Sequence, residues 1–384
     1  MSRVALLRCI RYDDAVLKQS IMDGLSKIDF DFKSLRNARV ALKPNLLMAA
    51  PEEKAVITHP AFFKAVAEIV IDHGGYPILA ESPGFVSLES VIKQVGYSAI
   101  AQELSIEVAD MGPTMILHNE RAHTFKHIEI ARAFNDVDII LSLPKFKTHG
   151  LTYVTGAVKN LFGTIPGLKK SHMHMRCPKS PEFSQWLLDL YGTLLIGFEQ
   201  PKPIYTIMDA VIGQEGEGPG PSGTPRTIGA VIIGRDPVAV DYVATSVVGL
   251  DYRKVDTIIQ GFQRDFAVSS PDEIQVIGES IDSLRIEDFK PTRTSISSHF
   301  LRSPLVGHFA KNLVVEKPWP SPAKCTLCYK CQAICPADAI SPARRDSKIP
   351  VYDYKKCIRC FCCMEICPEA AITLKNGPLT WLLG

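Results

Sequence analysis

The chain has 384 residues, of which 46% are hydrophobic and 22% charged, and its formal net charge is +2. That is enough apolar material for a large core and, by length, for two or three domains. A balance so close to neutral gives no polyanion-binding surface, so nucleic acid is not an expected partner.

From the N-terminus, MSRVALLRCIRYDDAVLKQS carries Arg3, Arg8 and Arg11 inside its apolar run and lacks the uninterrupted core of a secretory signal. No run approaches the ~20 apolar residues of a membrane span. The expected compartment is the cytosol. RVALKPN (39–45) reads as a buried strand and its exit. THPAFFKAVAEIVIDHGG (58–75) reads as a helix, with Thr58 as N-cap, Pro60 in the first turn and Gly74 ending the periodicity. YPILAESPG returns as a strand, SLESVIKQVG as a helix and VDIILSLPKFKTHG as a strand with a charged exit. This alternation over residues 1–298 predicts an α/β body whose parallel or mixed sheet is covered by helices.

In open α/β sheets, ligands sit outside the carboxyl ends of the strands. The exits here carry Lys43 and Asn45, then Lys145, Lys147 and His149, then Lys159 and Asn160 in GAVKNLFG, then Asp209, Glu215 and Glu217. A single lysine at a loop start is ordinarily solvated surface. If the set converges it forms a cationic pocket with an acidic flank, suited to a carboxylate or phosphate. On that expectation Lys43, Lys145, Lys147 and His149 are candidate catalytic residues, and Asn45, Lys159, Asn160, Asp209 and Glu215 are candidate substrate-binding residues.

Two further stretches are weighed and set aside. KKSHMHMRCP (169–178) offers His172, His174 and Cys177 as metal-ligand chemistry, but without a regular four-ligand pattern it reads as a mobile basic loop. Gly218, Gly220 and Gly223 spell the G-x-G-x-x-G of a dinucleotide turn. Pro219, Pro221 and Pro225 remove the backbone donors such a turn needs, and the following TIGAVIIG is strand-like rather than helical.

Residues 299–323 read as a linker, whose EKPWPSPAK end (316–324) should run extended. Residues 324–376 form a second domain, followed by an apolar tail, 377–384. Nine of the eleven cysteines fall in this last sixth of the chain. CTLCYKCQAICP and CIRCFCCMEICP both read C-x2-C-x2-C-x3-C-P, and every matching cysteine is offset by 32 positions. In a reducing compartment so dense a pattern means metal chemistry rather than disulfides. Zinc takes its four ligands as two separated pairs, whereas a triad with a proline-marked fourth fits a cubane cluster whose fourth ligand comes from the other repeat. Two [4Fe-4S] clusters are therefore expected. One is held by Cys325, Cys328, Cys331 and Cys367, the other by Cys357, Cys360, Cys363 and Cys335. Cys362 offers an alternative third ligand by a one-residue slide, but reads better as a small hydrophobe beside the cluster.

Residues 324–375 resemble a bacterial two-cluster [4Fe-4S] ferredoxin domain, a small α+β fold. The body resembles the uncharacterised family catalogued as domain of unknown function 362, through VALKPNLL, LPKFKTHGLTYVTGAVKNLFG and GQEGEGPGPSG, over roughly residues 4–245. That resemblance implies the candidate residues of the strand exits as family-motif positions and names no reaction. The expected function is single-electron transfer, by a redox enzyme acting on a small anionic substrate in the body. The alternative is a carrier or maturation protein that donates electrons to a redox protein partner.

Overall fold

The computed structural model describes residues 1–84, 86–167, 169–293 and 316–377. The body's strands are β1 (Ser2–Arg8), β2 (Arg39–Pro44), β3 (Tyr76–Leu79), β4 (Glu107–Val108), β5 (Thr114–His118), β6 (His127–Ala131), β7 (Ile139–Leu143), β8 (Lys145–His149), β9 (Tyr153–Thr155), β10 (Ile204–Gly216), β11 (Gly223–Gly234) and β12 (Ile274–Gly278). Ten of them form one sheet in the order β12-β1-β11-β10-β7-β2-β3-β4, with β8 and β9 branching from β10. Strands β4, β3, β2, β7 and β10 run parallel to one another, and β11 is antiparallel to both β10 and β1.

Helices cover both faces, so the central strands are apolar on both sides and read as continuous runs. Within β2, Val40 and Leu42 enter one core layer and Ala41 the other, as the two-residue period of a strand requires. The first layer is closed by the helices Asp14–Lys27 and Pro60–Asp72, the second by Ser180–Ile196 and Pro237–Val247. Among the described residues, no helix is long and apolar enough to cross a membrane.

The chain passes from β2 outward to β3 and β4, then returns to lay β7 on the other side of β2. Strand order therefore reverses between β2 and β7, which opens a crevice at their carboxyl ends. One expectation is corrected there. His59, not Thr58, caps the helix Pro60–Asp72, its Nδ1 accepting from the Ala61 amide at 3.2 Å. The Thr58 hydroxyl is used elsewhere: it donates to the Leu143 carbonyl at 2.6 Å and accepts from the Asn45 amide at 2.9 Å, tying together the exits of β7 and β2.

The C-terminal module is built on two short antiparallel pairs, Lys317–Pro320 with Ile372–Lys375 and Ile340–Ser341 with Val351–Tyr352. Only part of EKPWPSPAK runs extended: Lys317–Pro320 is a strand of the module rather than free linker, and residues 322–324 form a turn in which the Cys325 amide donates to the Ser321 carbonyl at 3.0 Å. The rest of the expected linker, 299–315, and the tail from 378 lie outside the described residues. The 32-residue repeat is visible in the backbone. Leu327, Tyr329 and Asp338 take left-handed conformations, and so do their counterparts Arg359, Phe361 and Ala370. Six non-glycine residues in that region of φ, at matched positions, show that both loops wrap around something in the same way.

Candidate functional site

Cys325, Cys328, Cys331 and Cys367 line one cavity of the module. In the other set, the electrostatic neighbours of Cys335 are Cys360 and Cys357, and those of Cys363 include all three. The fourth cysteines are placed alike: Cys335 Sγ accepts from the Ala339 amide at 3.4 Å and Cys367 Sγ from the Ala371 amide at 3.3 Å. Among the described residues no three His, Cys, Asp or Glu side chains converge on a point that a single ion fits. Thiols spread around a space, with N–H donors to sulfur, suit a cluster with corners better than one zinc ion. Cys363 packs inside the module with Cys331, Cys367 and Met364, whereas Cys362 faces the body.

The module is seated on the body at the carboxyl ends of the sheet. Ile334, Cys360, Cys362 and Ile366 join the core layer that contains Leu46, Met48 and Val211. The β10–β11 hairpin loop, which carries the rejected G-x-G-x-x-G, lies against the backbone of Glu365, and a Cβ at Gly220 would overlap it. Glu365 reaches into the body, its Oε1 3.1 Å from His149 Nε2. His149 Nδ1 accepts from the Leu151 amide at 2.9 Å, so the imidazole proton sits on Nε2 and faces the carboxylate.

Between module and body lies a cavity of about 110 Å³. One water needs ~10–15 Å³ by this measure, so the space holds a compact metabolite or a few waters. Its walls include Asn45, Lys147, Lys159 and Asn160 from the strand exits, Lys170 and His174 from the helix Lys169–Arg176, and Cys362 and Glu365 from the module. Lys147 Nζ donates to Asn45 Oδ1 at 2.7 Å and to the Val56 carbonyl at 2.6 Å. Lys170 donates to the Ser82 carbonyl. Lys159 has no hydrogen-bond or ion-pair partner among the described residues. Behind the wall Lys43 is fully buried and donates to Glu81 Oε2 at 2.6 Å. Gly163 has to be glycine here, because a Cβ would overlap both members of that pair.

Burial dominates the ionisation of this wall. It pulls Lys147 down to about 7, helped by neighbouring Lys159, and pulls Lys159 and Lys170 each down to about 8. It also lowers His149 to about 4 and His174 to about 3, so both imidazoles are neutral. Burial alone would raise Glu365, but His149 and Lys159 outweigh it and hold the carboxyl below its usual range.

The strand exits thus bring together Asn45, Lys147, Lys159 and Asn160, with Lys43 and His149 directly behind. Lys145, Asp209 and Glu215 stand elsewhere. Lys145 Nζ donates to Asp209 Oδ2 at 2.8 Å and to Tyr12 Oη at 2.7 Å. Glu215 accepts from the Lys290 amide at 3.1 Å. Lys145 and Lys147 differ in their partners: Lys145 pairs in the ladder with Asp209 and is taken up by that carboxylate and Tyr12, whereas Lys147, opposite Gln214, reaches Asn45 and Val56. His172, His174 and Cys177 also diverge. His174 faces the cavity and stacks on Phe183 at 4.5 Å, His172 is exposed, and Cys177 lies in the core. Strand-exit reasoning missed Glu81, although it follows β3 by the same rule, and it missed Lys170 and Glu365, which come from a helix and from the other module.

The family model for a domain of unknown function (DUF362) matches residues 40–246, and that for a 4Fe-4S dicluster domain matches 317–368. The chain therefore belongs to the DUF362 family, and its C-terminal module is a 4Fe-4S ferredoxin-like domain that binds iron–sulfur cluster and supports electron transfer. The thylakoid-associated protein sll1697 of Synechocystis sp. (strain ATCC 27184 / PCC 6803 / Kazusa) is 31% identical over 257 residues, which span 66% of this chain and 77% of that one. Among solved structures, the lactate racemase apoprotein of Thermoanaerobacterium thermosaccharolyticum aligns at 10% identity and a TM-score of 0.37, over 63% of this chain and 56% of that one. A Thermotoga maritima protein aligns at 16% identity and a TM-score of 0.33, over 57% and 55%.

Proposed function

We propose that the protein is a redox enzyme that exchanges single electrons with a small anion held between body and module. The reading includes two [4Fe-4S] clusters on the eight cysteines assigned above and a reducing, cytoplasmic setting. One observation carries it: the cationic cavity is walled on one side by the cluster-binding module itself, through Ile334, Cys362, Glu365 and Ile366. A bound cluster supplies one-electron transfer at low potential. The body's residues do the rest. Lys159 and Lys170 hold the anionic group, Lys147 fixes the Asn45 loop, and the module's apolar side chains exclude water so that these charges act at low dielectric. Neutral His149 stands beside Glu365, its Nε2 3.1 Å from the carboxylate, where the module meets the body. Lys145 and Asp209 act in this reading as a structural ion pair beneath Tyr12.

The alternative, a carrier donating electrons to a protein partner, calls for a docking face rather than a cavity. The test is anaerobic reconstitution followed by titration of the reduced protein with a panel of carboxylates and phosphates. A substrate reoxidises the chromophore in the wild type, and the response is lost in Lys159→Met while iron content is unchanged. Equal reoxidation of both proteins by every acceptor tried would leave only the carrier reading.

A further inference from the structure

The wall of the cavity carries a demand that an anion alone does not meet. Asn160 stands at the β2–β7 crevice, and its amide nitrogen donates to the Lys43 carbonyl at 3.1 Å and to Ser142 Oγ at 2.9 Å. A backbone carbonyl only accepts, so this bond fixes which end of the amide is nitrogen and leaves Oδ1 as the free end. That oxygen is buried with no hydrogen-bond partner, on a residue 3% exposed that lines the cavity. His174 repeats the situation: it is 6% exposed, lines the same cavity and leaves Nδ1 without a partner. It lies four residues after Lys170 on one helix, so both side chains are delivered by the same helical face. Buried polar groups are ordinarily satisfied, and two unsatisfied ones on residues that line one space, beside an unpaired ammonium, point to a ligand that satisfies them.

We infer that the ligand is a compact acid that also bears a hydrogen-bond donor, a hydroxyl or amino group, close to its anionic end. This rests on reading the cavity as an anion site. The anionic group lies against Lys159 and Lys170, the donor reaches Asn160 Oδ1, and His174 Nδ1 makes a second polar contact. Asn160 and His174 then choose among anions that the lysines hold indiscriminately. A site built to pair with a hydroxyl rejects the analogue lacking it, because its own polar group is then left unmade.

The experiment uses reconstituted full-length protein, kept anaerobic, and measures calorimetric affinity for matched pairs: acetate and glycolate, propionate and 3-hydroxypropionate, succinate and malate. At least one hydroxylated acid should bind about tenfold or more tighter than its partner, the scale of one hydrogen bond to a buried group. In Asn160→Leu that preference should disappear, whereas Lys159→Met should weaken both members of a pair and keep their ratio. If acids bind but each pair agrees within about twofold, solvent already satisfies Asn160 and the inference is overturned, while the anion site stands. If none of the six binds, the anion reading of the cavity falls and this inference with it.

Discussion

Lys43 and Glu81 form an ion pair with almost no solvent contact, at the exits of adjacent strands β2 and β3. Such a pair gains little over apolar residues, but removing one member leaves a buried charge uncompensated, at a cost of about 3–5 kcal/mol. Glu81→Ala should lose stability of that order in chemical denaturation, and Glu81→Ala/Lys43→Met should recover much of it. A double variant as unstable as the single one would mean that the glutamate acts through something other than its charge. The cavity lysines give a pH dependence. Lys147, Lys159 and Lys170 are held at about 7, 8 and 8 against an ordinary 10.5, so above pH 7 the unfolded chain binds more protons than the folded one. Stability of the ligand-free protein should therefore rise with pH through this window, and the full cost of burying the ammonium groups is present only below it. Anion affinity should run the other way, full below about pH 7 and falling through pH 8, with proton uptake on binding near pH 8. Calorimetry at pH 8 in two buffers of different ionisation enthalpy measures that uptake, and identical observed heats in the two buffers would contradict it. At this scale the sequence showed which lysines stood at strand exits, because a strand's end is a local pattern. It hid which of them converge, because Lys145 is taken up by Asp209 and Tyr12 while Lys147 reaches Asn45 and Val56, partners that only the folded sheet brings near.

Among elements, the cysteine loops were the most legible part of the chain. Their ligands lie within a dozen residues of one another, and the left-handed residues recur at the same 32-residue offset as the cysteines. The hairpin between β10 and β11 was the least legible. Its glycines imitate a dinucleotide turn, yet Gly220 serves close backbone approach to Glu365, a contact about 145 residues away that no local pattern announces. The same element argues a prediction. Gly220→Val places side-chain atoms where the Glu365 backbone lies, so the module should be pushed off the hairpin while both cysteine sets stay intact. Iron content should match the wild type, hydrogen exchange should speed up in residues 204–223, and anion affinity should drop at least about tenfold, the loss of one charge-assisted wall. Unchanged exchange in that hairpin would show that the module is not anchored there. The helix Lys169–Arg176 was read as a loop for a related reason: its eight residues are short and polar, and packing of His174 against Phe162 and Phe183 makes it a wall.

The whole molecule has a direction. Cys328 is exposed, and Cys325 half-buried, at the far side of the module, whereas Cys360 and Cys362 are buried at the side that meets the body and Cys363 inside the module. Electrons exchanged with a large partner should therefore pass at the Cys325–Cys331 loop, and those exchanged with the cavity at the Cys357–Cys363 loop. Cys331→Ser should lower bound iron toward half of the roughly eight atoms that two cubanes contain. It should slow reduction by a protein donor and leave reduction by dithionite, small enough to diffuse in, nearly unchanged. Cys362→Ser replaces no proposed ligand, although the Cys362 side chain hydrogen-bonds to Cys360, and Cys362 lines the cavity, so the variant should keep the full iron content while altering the affinity for anions. The two variants thus separate the roles that CFCC leaves merged in the sequence. If Cys362→Ser instead loses iron as Cys363→Ser does, the third ligand of the inner set slides by one residue. The cavity would then be walled by a cluster ligand itself, and the distance between bound anion and metal would be shorter than the present assignment gives.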